Sequence, residues 1–219
     1  MTKIDVDILV IAKMGDYVQN QLDARFRTHK LHEAADPDAM IAEIGPSIRG
    51  VAAGAHRNVD IALMDQLPNL EIVTNFGVGY DNVDAKSAGA RGIIVTNTPD
   101  VLSDEVADTA IGLMINAVRE LPQAEQFLRA GKWTSGNYPL TQNTLREKRL
   151  GIAGLGRIGK SIAKRAESFG LSIAYYGRSD QKNSYTFYDS LKALAENVDI
   201  IISVLPGGDA TSKVYNKDV

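Results

Sequence analysis

The chain has 219 residues, 44% of them hydrophobic and 23% charged, with a formal net charge of −3 and no cysteine. That length allows one large or two small domains with real cores, and the charge gives no electrostatic case for nucleic acid or an anionic membrane. The missing cysteines exclude disulfides, thiolate chemistry and cysteine–metal sites, and no window approaches the roughly 18 apolar residues of a membrane span.

The N-terminus, MTKIDVDILV, carries acids inside its apolar run and reads as a first strand, not as a signal peptide. A cytoplasmic setting is the expectation. Residues 6–12 predict a buried strand and 14–26 a helix. Pro37 opens a helical pattern over 37–48, followed by a strand at Gly50–Ala53 and a helix near 59–66. Strands at Leu70–Phe76 and Ile93–Thr96 enclose a short helix over 82–91. Strands alternating with helices imply a parallel sheet covered on both faces. The loop NFGVGYDNVD (75–84) follows a strand directly, where a parallel sheet presents backbone N–H groups to ligands. It reads equally as a tight turn before a helix capped by Asp81 or Asn82.

In DVLSDEVADTAIGLMINAVRELPQAEQFLRAGKW (100–133), Ser103 is the expected N-cap, with Asp104 and Glu105 complementing the helix dipole. Apolar residues surround the helix 103–118 almost completely, which predicts burial between domains or against a partner subunit. Pro122 predicts a second helical segment ending at Gly131, and 134–148 a polar loop.

The densest signal comes next. An apolar run, Leu150–Ala153, enters a turn with Gly154, Gly156 and Gly159. A helical stretch (Lys160–Phe169), the stop Gly170 and a second apolar run (Leu171–Tyr176) follow. This is the strand–turn–helix–strand order of a dinucleotide-binding unit. Gly154 allows the tight turn, Gly156 lets backbone approach a pyrophosphate, and Gly159 lets helix pack on strand. The helix N-terminus supplies free N–H groups and a positive dipole end. An acid about 20 residues past the motif normally accepts from the ribose 2′-hydroxyl. Here Gly177-Arg178-Ser179 occupies that region. An acid repels a 2′-phosphate, whereas a guanidinium binds it with charge-assisted bonds, so NADPH is expected over NADH. His29 and His32 read as residues of a solvated strand end without further metal ligands, and no chemistry is assigned to His56.

Taken together, NFGVGYDNVD (75–84), VTNTPDVLSDEVADTAIGLM (95–114), RAGKW (129–133), GLGRIGKSIAKRAESFG (154–170) and DIIISVLPGGDATSKVYN (199–216) resemble the D-isomer-specific 2-hydroxyacid dehydrogenases. Within that family the chain is similar to the NADP-preferring glyoxylate/hydroxypyruvate reductase-like members. The resemblance implies a substrate domain over 1–100, linking helices and loop over 101–148, and an NAD(P)-binding Rossmann domain from 149 to 219. It implies that the amides of Val78 and Gly79 hold the carboxylate of a small 2-keto acid. Arg157 and Ile158 would lie over the pyrophosphate, and Arg178 and Ser179 would clamp the 2′-phosphate. Val204, Leu205 and Pro206 would line the adenosine and nicotinamide ribose, with Thr211 just beyond, and Thr109 would approach the nicotinamide. The region 103–130 would form a homodimer interface.

In the family, an arginine polarises the keto group and a histidine supported by an acid supplies the proton. All three lie after the segment that ends this sequence, so no catalytic residue is assigned within the chain, and the chain alone is expected to show no turnover. The residues from Leu150 onward leave room for about three strands, half of the six of a full dinucleotide fold. The expected architecture is therefore α/β, with two tandem Rossmann-like or flavodoxin-like parallel-sheet domains, the second incomplete at its C-terminus. Tyr215–Val219 resembles a helix start with Asn216 as cap. The chain is either part of a longer reductase or a non-catalytic NADP-binding remnant. The competing functions are a dinucleotide-sensing regulatory protein and, among enzymes, a formate dehydrogenase.

Overall fold

A computed structural model describes residues 3–54 and 57–219, with Asp209 described in its backbone alone; His56 lies outside the described residues. The chain divides into two compact units, Met1–Val101 and Leu102–Val219. The helices after residue 101 cluster with the second unit.

In the first unit, β1 (Asp7–Val10), β2 (Arg27–Lys30), β3 (Ile48–Gly54), β4 (Ile72–Phe76) and β5 (Ile94–Thr96) form a five-stranded sheet in the order β2-β1-β3-β4-β5. Every pairing is parallel, and the order is that of a flavodoxin-like doubly wound sheet. Helices α1 (Asp16–Arg25), α2 (Pro37–Ile44), α3 (Ile61–Asp65) and α4 (Ala85–Ala90) make the connections. The core gathers Leu9, Ile11, Ile48, Val51, Val59, Met64, Leu67 and Val73, all nearly or fully buried. Strands covered on both faces need such unbroken apolar runs.

The strand β2 had no such signal. Its sequence, RTHK, is polar because it is an edge strand held by pairing to β1 and by charge. Arg27 bonds Asp7 and Asp5, and His29 Nε2 lies 2.6 Å from Asp7 Oδ1. The helix expected over 37–48 stops at Ile44 and tightens into one 3₁₀ turn at Gly45–Ser47. The helix expected over 82–91 is shorter as well, and its cap is Asp84, not Asp81 or Asn82. Asp84 accepts from the Ser87 amide and hydroxyl, while the Asn82 amide is turned inward.

In the second unit, β6 (Arg149–Ala153), β7 (Ser172–Tyr176), β8 (Thr186–Tyr188) and β9 (Ile200–Ser203) form a parallel sheet in the order β8-β7-β6-β9. This is the 3-2-1-4 part of the dinucleotide-binding order. It holds four strands where three were expected, because the TFY strand β8 is too short to carry a period-2 pattern. The helices are α5 (Ser103–Arg119), α6 (Leu121–Arg129), α7 (Arg157–Glu167) and α8 (Leu191–Glu196). Helix α7 begins three residues earlier than its apolar pattern suggested, since its first turn is fixed by the glycine turn.

Helix α5 packs on α7, with Ala107, Ile111 and Met114 in one core with Leu150, Ile152, Ile162, Ala163 and Ala166. Burial of α5 between domains or against a partner subunit was expected; within this one chain Leu113 is 63% exposed and Val106 38%. The helix touches its own unit along one stripe, so its apolar residues on the other faces remain uncovered. Ser103 is not its cap. It is the first helical residue, and the capping position falls to Leu102, which makes no side-chain cap bond. Asp104 instead accepts from the Ser161 hydroxyl and pairs with Arg165, which also pairs with Asp108. Asn216 caps a turn and not a helix, its side chain accepting from the Asp218 amide at 2.8 Å.

Asp199 ties the entry of β9 to β6, accepting from the Arg149 amide at 2.9 Å and the Lys148 ammonium at 2.7 Å. The Arg149 amide first, then Lys148, hold its carboxyl below the ordinary aspartate value. A carboxyl depressed on folding stabilises the fold above its unfolded value and loses that contribution as pH falls through the folded one. The predicted outcome is that Asp199→Asn flattens the acid limb of the stability curve below about pH 4, read as urea midpoint against pH.

Candidate cofactor and anion sites

In the second unit, the site grows from the end of β6. Gly154 has φ +100°, and a Cβ there would lie 2.9 Å from the Val204 carbonyl oxygen, so the turn needs glycine on both counts. A Cβ at Gly159 would lie 2.2 Å from the Gly154 carbonyl oxygen, a contact that no side chain could relieve. Gly156 differs, since a Cβ there meets nothing within 4 Å and the space beside the backbone is open. Gly156 also stands at the N-cap of α7 without a side-chain cap bond. Four other helices are closed by the side chains of Asp36, Asp60, Asp84 and Ser190. The first turn of α7 has no acid, and the amides of Ile158 and Gly159 have no acceptor among the described residues. Open amides at a helix start, with the dipole's positive end behind them, suit a phosphate. These residues fit a dinucleotide.

The neighbouring strands deliver the flanks. Tyr176 pairs with Ala153 in the sheet, and its carbonyl accepts from the Gly154 amide at 2.9 Å. Gly177, Arg178 and Ser179 therefore leave β7 beside the glycine turn. Arg178 and Ser179 are exposed, and the Arg178 guanidinium has no hydrogen-bond or ion-pair partner among the described residues. On the other flank, the Val204 amide donates to the Ala153 carbonyl at 2.9 Å, so Val204, Leu205 and Pro206 leave β9 over the same turn. The Thr211 hydroxyl folds this segment back by donating to the Pro206 carbonyl. Thr109 is exposed on α5 and donates to the Glu105 carbonyl at 2.8 Å. With Val106, Ala110 and Leu113 it lines an apolar groove of about 500 Å³, whose opposite wall is Ile200–Val204. All the sequence-expected cofactor residues of this unit thus gather at the C-terminal edge of one sheet or on the adjoining groove.

The first unit builds a different candidate site on the loop after β4. Gly77 makes a tight turn, its amide donating to the Asn75 carbonyl at 3.0 Å. Three successive carbonyls then turn into the scaffold. Gly77 O accepts from the Thr98 amide, Val78 O from Asn97 Nδ2 at 2.8 Å, and Gly79 O from Asn75 Nδ2 at 2.7 Å. Asn75 is almost fully buried, and its oxygen accepts from Asn82 Nδ2, which also reaches the Gly54 and Arg57 carbonyls. The amides of Val78 and Gly79 have no acceptor among the described residues. Adjacent free amides of this kind suit a carboxylate. Asn75, Asn82 and Asn97 were missed by sequence reasoning, because a positioning asparagine has no spacing pattern.

The described histidines pair with acids of the first unit. His29 is bound to Asp7 on the β2 edge, and His32 Nε2 lies 3.6 Å from Glu33. No group of three potential metal ligands exists among the described residues. No helix among them is long and apolar enough to cross a membrane.

A family model described as D-isomer specific 2-hydroxyacid dehydrogenase, NAD binding domain, matches residues 111–219. The chain is 39% identical over 215 residues to hydroxyphenylpyruvate reductase from Plectranthus scutellarioides, covering 98% of this chain and 68% of that protein. It is 38% identical over 215 residues to a glyoxylate/hydroxypyruvate reductase from Arabidopsis thaliana, with the same coverage. Among solved structures it is similar to the NADPH-dependent glyoxylate/hydroxypyruvate reductase of Sinorhizobium meliloti in complex with NADP and malonate. That match has a TM-score of 0.86 and 44% identity, over 98% of this chain and 67% of the other. The chain belongs to the D-isomer-specific 2-hydroxyacid dehydrogenase family, a family of oxidoreductases, and carries its NAD-binding domain. It spans about two-thirds of the length of the relatives it matches.

Asn75→Ala should leave the Gly79 carbonyl short of its partner, while Asn82 Nδ2 keeps the Gly54 and Arg57 carbonyls. Each unmade buried bond costs about 1–3 kcal/mol, so the expected outcome is a lowered urea midpoint together with weakened carboxylate binding, read by calorimetry with malonate.

Proposed function

We propose that this chain binds NADPH and a small 2-keto acid, such as glyoxylate or hydroxypyruvate, as a 2-keto acid reductase of its family. The observation that carries the reading is the partnerless Arg178 beside Ser179, at the strand end flanking an open helix N-terminus. The relative crystallised with NADP and malonate supports both halves of it, a phosphorylated dinucleotide and a carboxylate ligand.

In this reading the cofactor, when bound, supplies the hydride that reduces the keto carbon. The chain's own residues bind and orient. The amide of Ile158, at the start of α7 with Arg157, takes the pyrophosphate, and Gly154, Gly156 and Gly159 allow the approach. Arg178 and Ser179 take the 2′-phosphate. Val204, Leu205 and Pro206, folded back by Thr211, line the ribose side, and Thr109 meets the nicotinamide end of the apolar groove. Val78 and Gly79 donate to the substrate carboxylate. Fixed donors of this kind cost no reorganisation when charge develops on the substrate. No catalytic proton donor is assigned among the described residues.

The same proposal includes a homodimer formed through the 103–130 region in a cytoplasmic setting. It is supported by the uncovered Leu113 of α5 and by α6, which buries no residue in its own chain and leaves Leu121 and Leu128 exposed.

The test is a fluorescence titration with NADPH and NADH. NADPH should bind more tightly, and Arg178→Ala should remove about 10- to 100-fold of NADPH affinity, as expected for about 1.5–3 kcal/mol from bonds to a charged group. NADH affinity should hold. Equal affinity of the unaltered chain for the two cofactors would contradict the assignment.

A further inference from the structure

The loop that carries Arg178 also carries a carboxylate two residues away, Asp180. A negative charge so close to a phosphate site is a liability unless it is held aside, and two bonds hold it. Tyr175 is fully buried in β7, yet its hydroxyl reaches the loop and donates to Asp180 Oδ1 at 2.9 Å. The same hydroxyl accepts from the Gln181 amide at 2.7 Å. The Lys182 amide donates to Asp180 Oδ1 at 2.9 Å, with Lys182 itself at φ 50°. The loop is also fastened to the glycine turn, since Gln181 Nε2 donates to the Leu155 carbonyl at 2.8 Å.

The packing of Tyr175 needs none of this. Its ring lies 5.3 Å from that of Phe187, centroid to centroid, inside the core of the unit. Phenylalanine would fill the same space. The hydroxyl is the part that acts on the loop.

We propose that Tyr175 is a positioning residue for cofactor selection. Its hydroxyl, with Gln181, holds the 178–182 loop against the glycine turn so that Asp180 is tied back and Arg178 with Ser179 is left free for a 2′-phosphate. The inference rests on the assignment of Arg178 and Ser179 to that phosphate. The Lys182 amide and then the Tyr175 hydroxyl keep the Asp180 carboxyl below the ordinary aspartate value, so it is charged at neutral pH. Once released, this carboxylate competes with the phosphate for Arg178 and repels it.

The experiment titrates the full chain and its variants with NADPH and NADH by nicotinamide fluorescence, with circular dichroism to confirm folding. Tyr175→Phe is expected to weaken NADPH roughly 5- to 20-fold and to change NADH by less than about twofold. A purely structural role would move both cofactors together. Gln181→Ala, an exposed change that leaves the core intact, should release the same loop and show the same selective loss. The double variant Tyr175→Phe with Asp180→Asn should recover most of the preference, because the freed side chain no longer carries charge.

A wild-type preference for NADPH that Arg178→Ala abolishes, but that Tyr175→Phe and Gln181→Ala leave intact, overturns this proposal and spares the reading it rests on. Equal loss of both cofactors in Tyr175→Phe also overturns it, as does a double variant that recovers nothing. Absence of any NADPH preference in the unaltered chain overturns the Arg178 assignment and this proposal with it.

Discussion

The close approach of helix α7 to the end of β6 is the constraint on which the second unit depends. Only a glycine at 159 allows the first turn of the helix to lie against the Gly154 carbonyl, and only a glycine at 154 takes the backbone past Val204. That contact fixes where the helix N-terminus points. The parallel register does the rest. Ala153 pairs with Tyr176 on one side and Ser203 on the other, so the segments bearing Arg178 and Val204 leave the sheet beside the same turn. Amides, a cation and an apolar wall stand at one edge because three strands end there together.

The first unit builds its candidate anion site by other means. The carbonyls of the 77–79 loop are drawn into the scaffold by Asn75, Asn97 and the Thr98 amide, which leaves the amides of Val78 and Gly79 as the donors that face outward chemistry. The cost of this design is a buried polar side chain. Asn75 is acceptable in the core because both ends of its amide are bonded.

Much of this was legible in the sequence, and the failures have physical causes. The apolar runs at 6–12, 50–53, 150–153 and 171–176 mark strands largely buried on both faces, the run at 70–76 marks β4, which keeps Thr74 and Phe76 exposed, and the glycine spacing marks the nucleotide turn. The edge strand β2 escaped because a strand paired on one side can be polar. The strand β8 escaped because three residues carry no period. Helix α5 is apolar on nearly every side, and composition does not say which neighbours cover it; within its unit the α7-facing stripe is covered. Caps went wrong by position: helix α5 already begins at Ser103, α4 is capped three residues past Asp81 by Asp84, and the Asn82 amide is bonded to Asn75 and to the Gly54 and Arg57 carbonyls. Asn75 and Tyr175 were invisible as site residues, since their roles depend on loops that meet them only in three dimensions.

The most direct measurement is a crystal structure of this chain with NADPH. The pyrophosphate should lie on the first-turn amides of α7, and the 2′-phosphate within hydrogen-bonding distance of Arg178 and Ser179, with Asp180 still bound to the Tyr175 hydroxyl. A dinucleotide bound away from the glycine turn, or with its 2′-phosphate turned away from Arg178, would contradict it.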